Sequence, residues 1–317
     1  MQQPRKIQTI DIPIIVLVGP TAIGKTALSF ELVDRFDCEI ISMDSMQVYR
    51  HMDIGTAKPG RAELASVPHH LIDILDPDEQ YDAARFVHDC LEAIENIGRR
   101  GRAVLLTGGT GLYLKALIEG LFDALPTSKD VREQLRRRLA DEGRETLHAE
   151  LCRLDPKTGA RVHKNDTQRL LRGLELHQLT GKTWSELLAK QKEGGSRVHF
   201  TRMYQVGLTC ERQKLYTRIE QRSRIMIQQG LIEEVERLLA MGYSRELPSM
   251  QSIGYRHANN YIAGEWSHDE MMALLIRDTR RYAKRQMTWF GRNTALHWFD
   301  PEDSTAVADK IAKNIFS

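Results

Sequence analysis

Cysteine is scarce in this 317-residue chain, and the four present are far apart. Cys38, Cys90, Cys152 and Cys210 form no C-x-x-C pair, so neither a zinc knuckle nor a dithiol redox motif is indicated. Isolated thiols of this kind fit a reducing compartment. Long apolar runs are missing too. No stretch approaches the about 20 residues of a membrane-crossing helix, and the polar start, Met1 to Asp11, lacks the hydrophobic stretch of a signal peptide. The expectation is a cytoplasmic protein with no membrane partner. No internal repeat or low-complexity tract is present. Apolar residues at 41% and charged residues at 28% are globular values, and the length allows one large core or two moderate ones.

A net charge of +2 conceals an asymmetry. Residues 1–124 hold 12 Lys and Arg against 18 Asp and Glu, whereas residues 125–317 hold 33 against 25. The basic part invites a polyanion such as nucleic acid, although a solvated surface would give the same count.

The sharpest signal is Gly19-Pro20-Thr21-Ala22-Ile23-Gly24-Lys25-Thr26, a G-x-x-x-x-G-K-[ST] phosphate-binding loop. The apolar run Pro13–Val18 before it reads as a buried parallel strand, and Thr26–Phe36 after it as a helix. Such a loop turns backbone N–H groups and a helix N-terminus toward an anion. Lys25 adds a positive charge, and the Thr26 hydroxyl is placed to hold Mg²⁺. The motif implies a polyphosphate without saying which.

Strands and helices alternate through the first 120 residues. Cys38–Ser42 and Ala103–Thr107 read as strands, Leu71–Leu75 as a further candidate, and Tyr81–Ile97 has helical periodicity. This succession predicts a doubly wound parallel sheet. Near Pro126 the texture becomes helical, with segments at 129–141, 145–154, 166–179 and 183–190. A strand returns at Met203–Leu208, and helices dominate from Glu211 to Phe290. The predicted organisation is a core in two parts, 1–124 and 197–317, around an all-helical insertion at 125–196, with Gly194-Gly195-Ser196 as the linker candidate.

Several residues could carry chemistry. The strand Ala103–Thr107 ends in Gly108-Gly109-Thr110-Gly111 with no acid, which disfavours a kinase-like metal site. The nearest acid is Asp44, at the carboxyl edge where parallel sheets bind ligands; Asp73 is a weaker candidate. Asp44 reads either as a general base or as a loop cap. Gly108–Gly111 reads either as a close approach to a ligand or as a tight turn. On the helix Met271–Phe290, Arg277, Arg280, Arg281, Lys284 and Arg285 share one side, a stripe suited to a phosphate backbone. Gln168–Arg172 and Arg218–Arg222 are further arginine clusters.

Taken in order, these segments resemble one family, the tRNA dimethylallyltransferases, also called tRNA isopentenyltransferases. The resemblance rests on Gly19–Thr26, Ile41–Tyr49, Met52–Pro59, Gly108–Tyr113, Asn165–Arg169, Arg218–Arg222, Ile253–Arg256 and Lys284–Phe290. It implies a P-loop NTPase-like fold and transfer of a dimethylallyl group from dimethylallyl diphosphate to N6 of the adenosine 3′ of the anticodon. By the same resemblance Asp44, Thr21 and Arg222 are catalytic, and Gly19 to Thr26 bind diphosphate. Thr26 holds Mg²⁺. Asp44, Ser45, Met46, Gln47, Thr110, Arg132, Gln168, Arg169, Leu170, Leu171, Arg172, Gln251, Ser252, Ile253, Gly254, Tyr255 and Arg256 contact tRNA, joined by Arg281 and Lys284 from the basic stripe. The tail Pro301–Ser317 has no Cys and so lacks the zinc finger of eukaryotic relatives, which implies a bacterial-type, cytosolic enzyme, and the family suggests a monomer. The competing readings are an adenylate isopentenyltransferase acting on AMP, a P-loop small-molecule kinase, and a non-catalytic RNA-binding switch. The insertion and the basic stripe count against the first, and the missing strand-end acid against the second. The third has no use for a base at Asp44.

Overall fold

The structure is a computed structural model that describes residues 7–120, 125–193 and 198–316. The linker candidate Gly194-Gly195-Ser196 lies outside the described residues. In chain order the strands are β1 (Gln8–Ile10), β2 (Ile14–Val18), β3 (Cys38–Met43), β4 (His69–His70), β5 (Ala103–Gly108), β6 (Val198–Phe200), β7 (Met203–Leu208) and β8 (His297–Phe299). The helices are α1 (Lys25–Phe36), α2 (Arg61–Ser66), α3 (Ala83–Arg99), α4 (Gly111–Glu119), α5 (Lys129–Glu142), α6 (Arg144–Leu154), α7 (Pro156–Arg161), α8 (Thr167–Thr180), α9 (Trp184–Glu193), α10 (Arg212–Gln228), α11 (Leu231–Ala240), α12 (Tyr255–Ile262), α13 (His268–Phe290) and α14 (Ser304–Ile311).

The chain divides into two compact units. One is built on Lys115–Val198; the other joins Thr9–Leu114 to His199–Ser317. In the second unit a six-stranded sheet runs β4-β3-β5-β2-β7-β8, with every neighbouring pair parallel. All residues of β2 and β3 are buried. A parallel sheet covered on both faces needs such uninterrupted burial, which explains the continuous apolar run of β2. Central β2 delivers the P-loop to the carboxyl edge. Ile15, Leu17 and Leu105 from the sheet pack with Leu28 and Leu32 of α1 and Ile219 of α10 in one core. A second cluster gathers Val48, Tyr49 and Met52 against Leu231, Val235 and Tyr255, fixing the loop after β3 upon α11 and α12.

The helical unit has its own core of Leu135, Leu147, Leu151, Val162, Leu170 and Leu174. The sequence reading missed α7, which Asp155 caps by accepting from Thr158 N at 3.0 Å with Pro156 in the first turn.

The expected strand at Leu71–Leu75 is corrected. The edge strand is only His69–His70, paired with Ile40–Ile41. Leu71 and Asp73 take positive φ values of 62° and 55°, which break an extended run, and Leu75 makes an isolated bridge to Tyr49. Those apolar residues serve loop packing instead of a ladder.

Candidate active site

The P-loop is built as its sequence requires. Gly24, at φ 110°, caps α1 in a left-handed conformation that a side chain would strain. The Lys25 side chain returns across the loop, and Nζ donates to the carbonyls of Gly19 at 3.0 Å and Pro20 at 2.9 Å. Burial lowers the Lys25 pKa to about 8; the Arg222 charge adds to this and Asp44 opposes it. Burial also pulls the Arg222 guanidinium below its ordinary value, again opposed by Asp44. Arg222 reaches in from α10 and donates Nη1 to the Thr21 hydroxyl at 3.0 Å.

Asp44 follows β3 at the same edge. Its Oδ1 accepts from Met46 N at 2.8 Å and from Gln47 N at 3.4 Å. The capping role is therefore real, and it engages one oxygen of the carboxylate. Gln47 is held in turn by Ser42 Oγ at 2.9 Å.

Glycine is needed at the second turn for close approach. A Cβ on Gly109 would lie 2.2 Å from Gln286 Nε2. That space is filled by protein, so a tight, packed turn describes Gly109. Next to it, the Thr110 hydroxyl accepts from Ser45 N at 3.2 Å, and Thr110 N donates to Met43 O at 3.2 Å. The turn thus pins both sides of Asp44.

A cavity of about 630 Å³ brings together Thr21, Lys25, Thr26, Asp44, Arg222 and Gln286. Ser45, Met46 and Gln47 line it as well, as do Gln251, Ser252, Ile253 and Gly254. Of the neighbouring candidates, Tyr255 is buried and donates its hydroxyl to Glu234 at 2.6 Å, and Arg256 pairs with Asp278 at 2.9 Å.

The candidates in the helical unit are differently placed. Glu175 is buried and binds Arg132 Nε at 2.9 Å, Arg172 Nη1 at 2.7 Å and Ser128 N at 3.0 Å. Arg172 also donates to the carbonyls of Leu125 and Pro126. Leu170 belongs to the core and Leu171 packs against it, while Gln168 and Arg169 are exposed.

The basic stripe divides. Arg277 and Arg281 share Asp278, at 2.9 and 3.7 Å, and Arg280 pairs with Glu220 of α10 at 3.0 Å. These four positions, counting Lys284, line a smaller cavity with Arg212 and Tyr216, whereas Arg285 lines the larger one. The sequence reading placed all five together and missed the Glu220 partner, which comes from another helix.

Three functional residues escaped the sequence. Gln286 accepts from Thr21 N at 2.9 Å and donates to Gly109 O at 3.0 Å. Glu234, buried on α11, accepts from the amides of Asp53, Ile54 and Gly55 at 3.1, 2.9 and 3.2 Å. Lys58, with only 2% of its side chain exposed, pairs with Asp53 at 2.6 Å and Asp73 at 2.5 Å. The last two clamp the loop 53–58, whose Gly55, Thr56 and Ala57 line the cavity. Asp73, the weaker acid candidate, is accounted for by Lys58. The signal for Lys58 and Gln286 was their place in the quoted motifs, Met52–Pro59 and Lys284–Phe290; Glu234 had none.

A P-loop on a parallel α/β core, two cations at its mouth and a carboxylate across one cavity define a P-loop-type group-transfer enzyme. Comparison with known proteins narrows this class. The IPP transferase family model matches residues 47–293. The tRNA dimethylallyltransferase of Desulfotalea psychrophila is 52% identical over 301 residues, 95% of each chain. Among solved structures, the full-length tRNA isopentenylpyrophosphate transferase of Bacillus halodurans superposes with a TM-score of 0.69 at 38% identity, covering 96% of this chain and 97% of that one. A eukaryotic dimethylallyltransferase acting on tRNA gives 0.74 at 27% identity, over 96% and 78%. The chain belongs to the IPP transferase family.

Proposed function

We propose that this protein transfers a dimethylallyl group from dimethylallyl diphosphate to N6 of the adenosine 3′ of the anticodon, position 37, in tRNA. The observation that carries this reading is the single cavity holding the phosphate loop, Lys25, Arg222 and Asp44, while β5 ends in glycines with no acid for a kinase-type metal site. The names of the relatives add the donor and acceptor classes.

The residues have definite tasks in that reaction. The adenine amine is a poor nucleophile, because its lone pair is delocalised into the ring. Asp44 takes its proton as the C–N bond forms. As the carbon–oxygen bond of the donor breaks, negative charge grows on diphosphate. Lys25, Arg222 and the loop N–H groups meet that charge. Thr21 accepts from Arg222, which leaves its own hydroxyl proton free to point at the leaving oxygen. Lys25 and Arg222 are half-buried in the cavity wall, and substrate filling the cavity would keep water from a cation-like dimethylallyl carbon.

Thr26 fits a Mg²⁺ site in one respect: it lines the cavity at the first turn of α1, beside the loop. No cluster of three His, Cys, Asp or Glu occurs among the described residues. Thr26 is the residue that would hold Mg²⁺ accompanying the diphosphate. The ion would supply additional charge neutralisation on the leaving group.

For tRNA, the cavity-lining Ser45–Gln47 and Gln251–Gly254 would surround the extruded base, and exposed Gln168, Arg169, Arg281 and Lys284 would meet the backbone. A monomeric, cytoplasmic enzyme fits this task. The test is incubation with labelled dimethylallyl diphosphate and unmodified tRNA, AMP or no acceptor. Label in tRNA alone is expected; label in AMP, or none in tRNA, sinks the reading.

A further inference from the structure

One well-connected polar side chain in the cavity has no part in the chemistry above. Gln286 is 6% exposed, on the inner face of α13. Its carbonyl oxygen accepts from Thr21 N at 2.9 Å, and its amide nitrogen donates to Gly109 O at 3.0 Å. The first partner lies 265 positions away and the second 177. One side belongs to the loop proposed to hold the leaving group. The other belongs to the turn whose Thr110 hydroxyl holds Ser45 N and whose Thr110 amide holds Met43 O, on either side of Asp44.

We infer that Gln286 is a positioning residue that sets the distance between Asp44 and the leaving-group side of the cavity. This rests on the proposed prenyl transfer and adds a residue to it. The amide suits the task because its two ends differ: one accepts from an N–H, the other donates to a C=O, and both partners are backbone. No single ionised or apolar side chain of this length satisfies both. The Thr21 N–H and Gly109 O are left unpaired when Gln286 is removed. The loop and the turn can then drift apart, and a displacement of about 1 Å between reacting groups costs on the order of 10²-fold in rate.

Two variants test this. Gln286→Met keeps the volume and loses both bonds. It is expected to lower kcat at least tenfold on tRNA while KM for the prenyl donor stays within about threefold, since the phosphate-binding N–H groups remain. Gln286→Glu gives a signature that a merely structural role would not. Protonated, the new carboxyl repeats both bonds, C=O to Thr21 N–H and O–H to Gly109 O. Ionised, it faces Gly109 O without a proton. The titratable and charged groups sharing its cavity are Lys25 from the loop, Arg218 and Arg222 from α10, Tyr282 and Arg285 from its own helix, Asp44 after β3 and His69 of β4. The ratio of variant to parent kcat is expected to rise as pH falls from 8 to 6. A ratio that stays flat overturns the inference, whatever its size, and so does a folded Gln286→Met protein with parental kcat. If Gln286→Met fails to fold, the pH ratio decides alone. Failure of the parent to prenylate tRNA in the same assay would instead count against the proposed function.

Discussion

Arg222 on α10 donates to the hydroxyl of Thr21 at 3.0 Å, across 201 positions of sequence. Thr21 is therefore held from two helices at once, by Arg222 through its side chain and by Gln286 on α13 through its backbone. The phosphate loop is not a free-standing motif in this chain. It is anchored by the helices that follow β7, so the C-terminal third of the sequence builds part of its active site.

Asp44 offers a clean separation of structure from chemistry. Asp44→Asn keeps an oxygen for Met46 N, so the turn survives while the base is lost. Turnover should drop by at least ~10², with tRNA affinity measured by filter binding unchanged. Parental turnover would remove Asp44 from its role.

Lys25 makes diphosphate binding pH-dependent. Its folded-state pKa of about 8 lies below the ordinary 10.5 because of burial and Arg222. Below about pH 8 the ammonium is present and attracts diphosphate; above it the charge is lost. Affinity for inorganic diphosphate, followed by calorimetry, should fall between pH 7 and pH 9. Lys25→Arg, which stays charged, should flatten that fall. A parental protein whose affinity is constant over this range would contradict the assignment.

How much of this was legible varies from residue to residue. β2 and the P-loop announce themselves because a two-sided parallel sheet demands unbroken apolar burial and the loop needs fixed glycines. His297–Phe299 did not, since three residues carry no period and only pairing with Val206–Leu208 makes them a strand. The pattern at Leu71–Leu75 misled because burial against a loop looks like burial in a sheet. Glu234 was silent, and Gln286 was marked only by its place in a motif, for another reason. Each acts on backbone groups far away in sequence, and backbone N–H and C=O groups leave no trace in residue type.

Glu234 should matter chiefly to stability. Glu234→Ala strands the amides of Asp53, Ile54 and Gly55 and the Tyr255 hydroxyl. An unpaired buried group costs about 1–3 kcal/mol; the three amides are only partly buried, so a total loss of about 2–4 kcal/mol is expected in urea unfolding. Tyr255→Phe, which leaves the three amides satisfied, should cost about 0.5–1.5 kcal/mol. Equal losses would mean that the amide contacts contribute nothing.

The arginines divide into two predicted classes. Neutralising Arg281 and Lys284 together should reduce the slope of log affinity against log salt for tRNA by roughly 1 to 2, with stability unchanged. Arg172→Gln should instead destabilise the protein, because Glu175 is buried and would lose one of its two cations. An unchanged salt slope in the first variant would place those side chains away from RNA.

If the phosphate loop cradles a leaving diphosphate, carbon–oxygen bond cleavage replaces the phosphorus–oxygen cleavage usual for this motif. Dimethylallyl diphosphate carrying ¹⁸O in the bridge between C1 and phosphorus tests it, with mass spectrometry of both products. All the ¹⁸O is expected to leave in diphosphate while the tRNA adenosine gains an unlabelled dimethylallyl group. Recovery of ¹⁸O in a prenyl product, or of a phosphoryl group on the acceptor, would contradict it.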